Sequence, residues 1–452
     1  MITRPPFAAA LNAVLKRLLL FCMTSPAWSD AVQGAEWFVS PAGDDAAAGS
    51  FAQPFATIQR AQKAAVPGDT VLIRGGIFRM KENQIARRKG IFAYITDLDK
   101  SGAPGKPITY RAYKDEKPVF DCSLVQPEGQ RVDAFFVSGS WLHLQGLEVT
   151  GVQVTLKGHT QSICFENNGS HNIYERLSMH DGQAIGIYSV RGSDNLFLNC
   201  DAWNNWDYTS ENGKGGNVDG FGCHPPKGGT GNIFRGCRAW FNSDDGYDCI
   251  NAAEAVTFEN CWAIGSGLNA KGDKLGDGNG FKAGGYGSTP ASRLPSPIPR
   301  HVIRGCLAVG NRSSGFYANH HPGGCDWFNN TAFRNGTNFN FLGRLPDNIT
   351  DVPGSGHRIR NNLSYGSRGL VRSFDPAKNE ADHNSFMPDM KLSDRDFISL
   401  DETQLTRPRQ ANGDLPVITL LHLTEGSALI GGGVNVGLPL RGAKPDIGAF
   451  GR

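Results

Sequence analysis

Val218-Asp219-Gly220-Phe221-Gly222, Asp244-Asp245-Gly246-Tyr247-Asp248, Gly278-Asn279-Gly280-Phe281-Lys282 and Ser313-Ser314-Gly315-Phe316-Tyr317 are four copies of one short pattern. Aligned on the glycine, Asp219, Asp245 and Asn279 fall in one column, and Asp248 and Lys282 fall in another. In a chain wound as stacked coils these residues meet in space although they are far apart in sequence. The result is a cage of carboxylates with a lysine at its edge.

A second element recurs in step with the first. Cys200-Asp201-Ala202-Trp203, Cys237-Arg238-Ala239-Trp240, Cys261-Trp262-Ala263-Ile264, Cys306-Leu307-Ala308-Val309 and Asn330-Thr331-Ala332-Phe333 align without a gap, at steps of 37, 24, 45 and 24 residues. A unit of 24 that sometimes swells marks a solenoid with loops inserted on particular coils. The Cys-to-Gly distance is 9 residues from Cys237 and from Cys306, but 20 from Cys200 and 19 from Cys261. The insertions therefore sit at one corner of alternate coils. Period-two alternation turns each Cys and the Ala two residues later inward, with Asp201, Arg238, Trp262 and Leu307 outward. It likewise turns Phe221, Tyr247, Phe281 and Phe316 inward as an aromatic stack, with Asp248 and Lys282 outward to solvent. In-register parallel strands set equivalent residues about 4.8 Å apart. The fold class expected is all-β, a parallel β-helix.

The ends and the composition fit a single exported domain. Arg4, Lys16 and Arg17 precede Leu18-Leu19-Leu20-Phe21-Cys22-Met23 and then Ala27-Trp28-Ser29, the layout of a secretory signal over residues 1–30. That apolar run is too short to span a bilayer, and no other segment is long enough. Residues 31–452 are expected to form one solenoid domain, secreted or periplasmic and monomeric, with no membrane partner once the signal is removed. Its coils should run from about 69 to 385, with side-packed loops and a closing strand, Asp446-Ile447-Gly448-Ala449-Phe450, over 386–452. Gly49 to Ile58 leads into an amphipathic stretch ending at Ala65, which reads as a short capping helix, followed by a first strand in the run from Pro67 to Arg79. A net charge of +2 without a basic block gives no support to nucleic-acid binding. Of ten cysteines, Cys22 leaves with the signal, so nine remain and at least one is unpaired. Cys223 and Cys249 share an inward column on adjacent coils, either bridged or as two thiols. The absence of paired CxxC spacing argues against a Cys zinc site.

The acidic column suits a hard cation. Ca²⁺ takes six to eight oxygen ligands, and Asp219, Asp244, Asp245 and Asp248 would repel one another without one. A lone Asp-Asp-Gly is ordinarily a solvated turn; Asp219 stacked on the same spot is what favours a metal. Lys282 follows Asp248 by one coil among Gly280, Ala283, Gly284 and Gly285, which leave room for a ligand. Beside a divalent cation a lysine can work as a Brønsted base, because the ion opposes the pKa rise that the carboxylates cause.

Asn242-Ser243-Asp244-Asp245-Gly246-Tyr247-Asp248 and Gly278-Asn279-Gly280-Phe281-Lys282-Ala283-Gly284-Gly285 resemble the family 9 polysaccharide lyases, pectate lyases built as right-handed parallel β-helices. The resemblance extends over most of the mature chain. It implies one Ca²⁺ held by Asp219, Asp244, Asp245 and Asp248, with Lys282 as the proton-abstracting base. The implied reaction is β-elimination on an acidic polysaccharide such as polygalacturonate or pectate. Arg312, Lys227 and Lys274 lie where they could hold further substrate carboxylates, or they are plain surface cations. Trp203, Trp240 and Trp262 either stack on sugars or carry side loops. No general acid for the leaving oxygen is evident; water could serve. The main rival is a polygalacturonase-like inverting hydrolase, for which Asn217-Val218-Asp219 and Asp244-Asp245 would supply acid and base. It is disfavoured by Gly280-Phe281-Lys282 and by the lack of any Gly-His-Gly. The remaining rival is a non-enzymatic glycan-binding β-helix. Endo or exo cutting, methylation preference, and homogalacturonan against rhamnogalacturonan stay open at this level.

Overall fold

The computed structural model describes residues 34–159, 161–438, 442 and 444–451. The signal expected over residues 1–30 lies outside them. Among the described residues, three sheets of 12, 10 and 11 strands run the length of the molecule, parallel from coil to coil apart from one antiparallel edge strand, Arg87–Lys89. The sheets are entered in turn as the chain winds, so a complete coil adds one strand to each. This is the parallel β-helix that the repeats predict.

Register confirms both columns. Ala202, Ala239, Ala263, Ala308 and Ala332 pair directly across the ten-stranded sheet. Inside, Cys200, Cys237, Cys261 and Cys306 are fully buried. The aromatic stack runs Phe221, Tyr247, Phe281, Phe316, Phe339 with ring centroids 5.1, 4.6, 5.0 and 4.9 Å apart. Rings spaced by the strand repeat fill the interior and stabilise beyond simple area burial. Cys223 and Cys249 are separate buried thiols, not a bridge.

At a corner of the coils, amides take over from the sheets. Asn195 Oδ1 accepts from Asn172 N at 2.9 Å, and Asn232 Oδ1 accepts from Asn195 Nδ2 at 2.9 Å. Each turn thereby satisfies the backbone of the coil before it, as buried peptide groups require.

The ends differ in detail from the sequence reading. The helix Ile58–Ala64 does cap the stack, with Thr57 accepting from Arg60 N and with Ile58 and Ala61 in the core. However, strand Glu36–Val39 precedes it and pairs with Thr70–Ile73, so the strand after the helix is not the first. The last coil strand is Glu380–Asp382, close to the expected limit. Residues 446–450 form no strand. Ile447 instead packs with Leu363, Phe333 and Leu429, and Gly448 N donates to Asn361 O. An apolar segment with a covered sheet face to dock on need not pair with an edge.

The chain from 386 onward lies along the outer face of the ten-stranded sheet. Phe397, Leu405, Ile418, Leu420 and Leu429 pack onto Trp262, Leu307, Val309 and Phe333. Asp201, Arg238, Trp262 and Leu307 point outward as alternation demands, yet all are buried beneath this strap. Trp262 meets Phe450 edge-on at 6.4 Å, and Trp240 packs against the same cluster. Both tryptophans carry the strap; Trp262 is buried beneath it and Trp240 is half-buried. Trp203 stacks on Trp240 at 4.7 Å on the same face.

Candidate active site

The eleven-stranded sheet has an outer face without a strap, and a bend in its strands gives that face two outward columns. In Arg131–Val137, Val132, Ala134, Phe135 and Val137 enter the core while Asp133 and Phe136 do not. Two adjacent inward residues at the bend separate the two outward ones. The second column runs Glu166, Tyr188, Gly222, Asp248, Lys282, Tyr317, Asn340, Arg372 in direct register. Insertions 204–220 and 265–280 rise on one margin of this face, and 224–231 and 283–301 on the other. A trough is left along the column. The first pair of insertions is the one that the uneven Cys-to-Gly spacing located.

The first column is a ladder built from acids. Asp219 Oδ1 accepts from Asp245 N at 3.1 Å, Asp245 Oδ1 from Asn279 N at 2.6 Å, and Asn279 Oδ1 from Ser314 N at 3.2 Å. An asparagine would serve the ladder equally well. The aspartates use one oxygen for it and keep a second, charged oxygen that the fold does not need. Asp244 Oδ1 accepts from Asp277 N at 2.7 Å, which pins the 265–280 insertion to the cage. One oxygen from each of Asp219, Asp244 and Asp245 lies within 4.8 Å of the others.

Lys282 closes the site. Its Nζ is 3.0 Å from Asp245 Oδ2 and 3.3 Å from Asp248 Oδ2. Only 11% of its side chain is exposed, and Asp248 is buried as well. The outward column is thus roofed by the insertions instead of lying open to solvent as the sequence reading had it. Asp248 Oδ1 accepts from Ile250 N at 2.7 Å, so this carboxylate leans toward the lysine and is not one of the three that converge.

Electrostatics show what is unresolved here. Burial, then the charge of neighbouring carboxylates, holds Asp219 and Asp244 well above the usual carboxylate range. Burial also raises Asp245, with Lys282 opposing. For Lys282, burial pulls downward, but Asp245, Asp248, Asp244 and Asp219 together push its pKa far above that of a free lysine. Four carboxylates face one ammonium. Asp245 Oδ2 accepts no aligned hydrogen bond and has only that ammonium opposite it. A buried, oxygen-only, over-charged cage fits a hard divalent cation such as Ca²⁺.

The other residues singled out in the sequence are not gathered into the cage. Arg312 Nη1 donates to the carbonyls of Leu275 (2.8 Å) and Gly276, so it braces the insertion. Lys227 and Lys274 are exposed on the marginal loops. Sequence reasoning missed Tyr188 and His224, which border the cage from the N-terminal side. Gly186-Ile187-Tyr188 aligns with Gly220-Phe221-Gly222, and extending the glycine column one coil upstream would have found the tyrosine.

Comparison with known proteins agrees with this architecture. A family model described as Pel9A-like, right handed beta helix region, matches residues 37–362. Pectate lyase L of Dickeya chrysanthemi is 34% identical over 429 residues, covering 92% of this chain and 90% of that protein. Pectate lyase PEL9 of Emericella nidulans is 29% identical over 423 residues, covering 88% and 95%. Among solved structures, a rhamnogalacturonan lyase superposes with TM-score 0.83 at 44% identity, covering 88% of this chain and 98% of that one. Pectate lyase Pel9A superposes with TM-score 0.74 at 32% identity, covering 92% and 96%.

Proposed function

The chain belongs to the Pel9A-like right-handed β-helix family, the family 9 polysaccharide lyases, and from that premise we propose that it is a secreted, Ca²⁺-dependent, single-domain lyase. Its substrate is a galacturonate-containing polysaccharide, cut by β-elimination with Lys282 as base. The observation that carries this reading is the cage: three buried carboxylates with converging oxygens, and a lysine 3.0 Å from one of them. Among the described residues no helix is long and apolar enough to cross a membrane.

Asp219, Asp244 and Asp245 would hold the ion, with Asp248 closing the shell beside Lys282. When bound, Ca²⁺ supplies a positive centre for the substrate carboxylate and for the charge that develops on it as the C5 proton leaves. The residues do the rest. Asp245 and Asp248 orient the Lys282 amine toward the trough. Lys282 Nζ, as the free amine that offsetting the cage carboxylates would allow, takes the proton from C5, electrons move into a C4–C5 double bond, and the C4–O bond breaks. The oxygen leaves with the chain and is protonated by solvent. The insertions on both margins limit water around the amine. Arg312 keeps the 265–280 insertion, and through Asp277 the Asp244 carboxylate, in position.

The test is to follow the ultraviolet absorbance of the unsaturated product with polygalacturonate and with rhamnogalacturonan, first with Ca²⁺ and then with EGTA. Absorbance that rises with Ca²⁺ and stops on chelation is the expected result. New reducing ends without that absorbance would mean a hydrolase and overturn the reading. The two polymers are tried side by side because identity with the rhamnogalacturonan lyase structure reaches 44%.

A further inference from the structure

The trough holds its charge in one place. Along the outward column from Glu166 to Asn340, Lys282 is the only cation, and Asp245 and Asp248 already engage it. On either side of the Asp248–Lys282 pair the column presents a tyrosine. Toward the N-terminal coils stands Tyr188, reaching across Gly222. A Cβ on Gly222 would come within 2.5 Å of Tyr188 Cδ2, so the bare glycine is what lets the ring lie toward the cage. The Tyr188 hydroxyl is 3.2 Å from His224 Nδ1, and the two rings meet edge-on at 4.9 Å. Toward the C-terminal coils stands Tyr317, paired with Lys282 in register and half-buried.

Cations at the margins are engaged elsewhere or stand out on the exposed loops, as Lys227 and Lys274 do. Arg312 is bonded to the carbonyls of Leu275 and Gly276, while Arg344 and His320 both pair with Asp351. Beyond Tyr188 the next outward residue is Glu166, an acid. Uronates in the positions next to the cage would set their carboxylates against the two tyrosines and Glu166, with no cation of the column to meet them. Like charges brought together in this way discriminate against a ligand as firmly as good contacts select one. An aromatic face and a hydroxyl, by contrast, take the C–H face and the hydroxyls of an uncharged sugar well.

We infer that the two sugar positions flanking the cage are neutral-sugar subsites, Tyr188 with His224 forming one and Tyr317 the other. The preferred chain is then one in which galacturonate alternates with an uncharged sugar, as in the rhamnogalacturonan backbone, and a continuous galacturonate chain is the poorer substrate. This rests on the lyase reading above and adds the substrate class to it.

The experiment compares kcat/KM for elimination on rhamnogalacturonan backbone and on polygalacturonate at the same Ca²⁺ concentration. The expected ratio favours the alternating chain by about tenfold or more, the discrimination that one unpaired carboxylate or one lost stacking contact produces. Tyr188→Ala should raise KM for the alternating chain roughly tenfold with kcat nearly unchanged, as expected for lost uniform binding. Tyr188→Phe and His224→Gln, which keep the packing, should each raise it by about threefold, the scale of one neutral hydrogen bond. Elimination on polygalacturonate with equal or higher kcat/KM overturns the subsite inference while leaving the lyase reading intact. A fall in kcat for all three variants with KM unchanged also overturns it. No elimination on either polymer overturns the lyase reading, and this inference with it.

Discussion

Two outer faces of one solenoid bury aspartates and treat their charge in opposite ways. Under the C-terminal strap, Asp201 meets Arg238 at 2.9 Å and Arg409 at 2.7 Å, two guanidiniums for one carboxylate. Arg238 goes on to donate to the carbonyls of Leu405 and Arg407, which ties the strap down. In the trough, four carboxylates share one ammonium. A buried acid with matched partners holds two pieces of chain together. A buried acid without them is strained toward protonation or toward a cation, and such imbalance is the physical mark of a functional site.

If the contrast is right, substitutions on the two faces must fail in different currencies. Lys282→Ala should have the largest effect, lowering kcat for elimination by about 10³–10⁴-fold, the range for a lost general base, with the melting temperature in saturating Ca²⁺ nearly unchanged. Loss of folding instead would place Lys282 with the structural pairs. Next comes Asp245→Asn. It keeps the ladder acceptor for Asn279 N but removes charge from the cage, so Ca²⁺ should no longer raise the melting temperature, and activity should drop about 10²-fold. An unaltered Ca²⁺ shift would show that the ion sits elsewhere. Without Ca²⁺ the same variant should melt no lower than the parent, because one uncompensated charge has gone.

Asp201→Ala probes the other face. It leaves Arg238 and Arg409 buried without their anion, a loss of about 3 kcal/mol in folding stability by chemical denaturation. Turnover well below the melting temperature should be unaffected, since the strap and the trough lie on different sheets. A Ca²⁺-dependent melting shift of normal size would persist. If Asp201→Ala abolished that shift, the division of labour between the faces would be wrong.

Most of the solenoid could be read from the chain because a stack repeats its requirements. Cys200 to Cys306, Ala202 to Ala332 and Phe221 to Phe316 recur at strand positions where only an inward residue of that size fits, and the structure places each in its column. The cage was legible for the same reason: Asp219, Asp245 and Asn279 hold ladder positions, and the charges stood out against them. What resisted reading was everything that depends on coverage. Alternation tells that Trp262 and Asp248 leave the interior, but not that a strap covers the first and insertions roof the second. Asp446–Phe450 has a strand-like composition, yet a docking face decided its conformation. Tyr188 escaped because its importance comes from Gly222, a side chain that is absent.

The smallest expected effect concerns buried groups that are matched without any charge. At the corner of the coils, His301 Nδ1 accepts from Val256 N at 3.2 Å and His357 Nδ1 accepts from Cys325 N at 2.9 Å. These are the bonds that Asn172, Asn195 and Asn232 make on earlier coils, so two histidines stand in an asparagine ladder. Burial holds His301 well below the ordinary histidine range, pushes His357 down to about 3, and pushes the neighbouring His321 to about 4. A protonated ring would lose its acceptor and turn a donor against a backbone N–H. Because the unfolded chain takes up these protons near pH 6.5 and the folded chain does not, folding stability is complete above that pH. It should decline as the pH falls from about 6.5 toward 4. His357→Asn keeps the acceptor and removes the titration, so denaturant midpoints measured across this window should fall less steeply than in the parent. Equal slopes would mean that the ladder is not the source of the acid sensitivity, and a matched, uncharged ladder would then cost the fold nothing in acid.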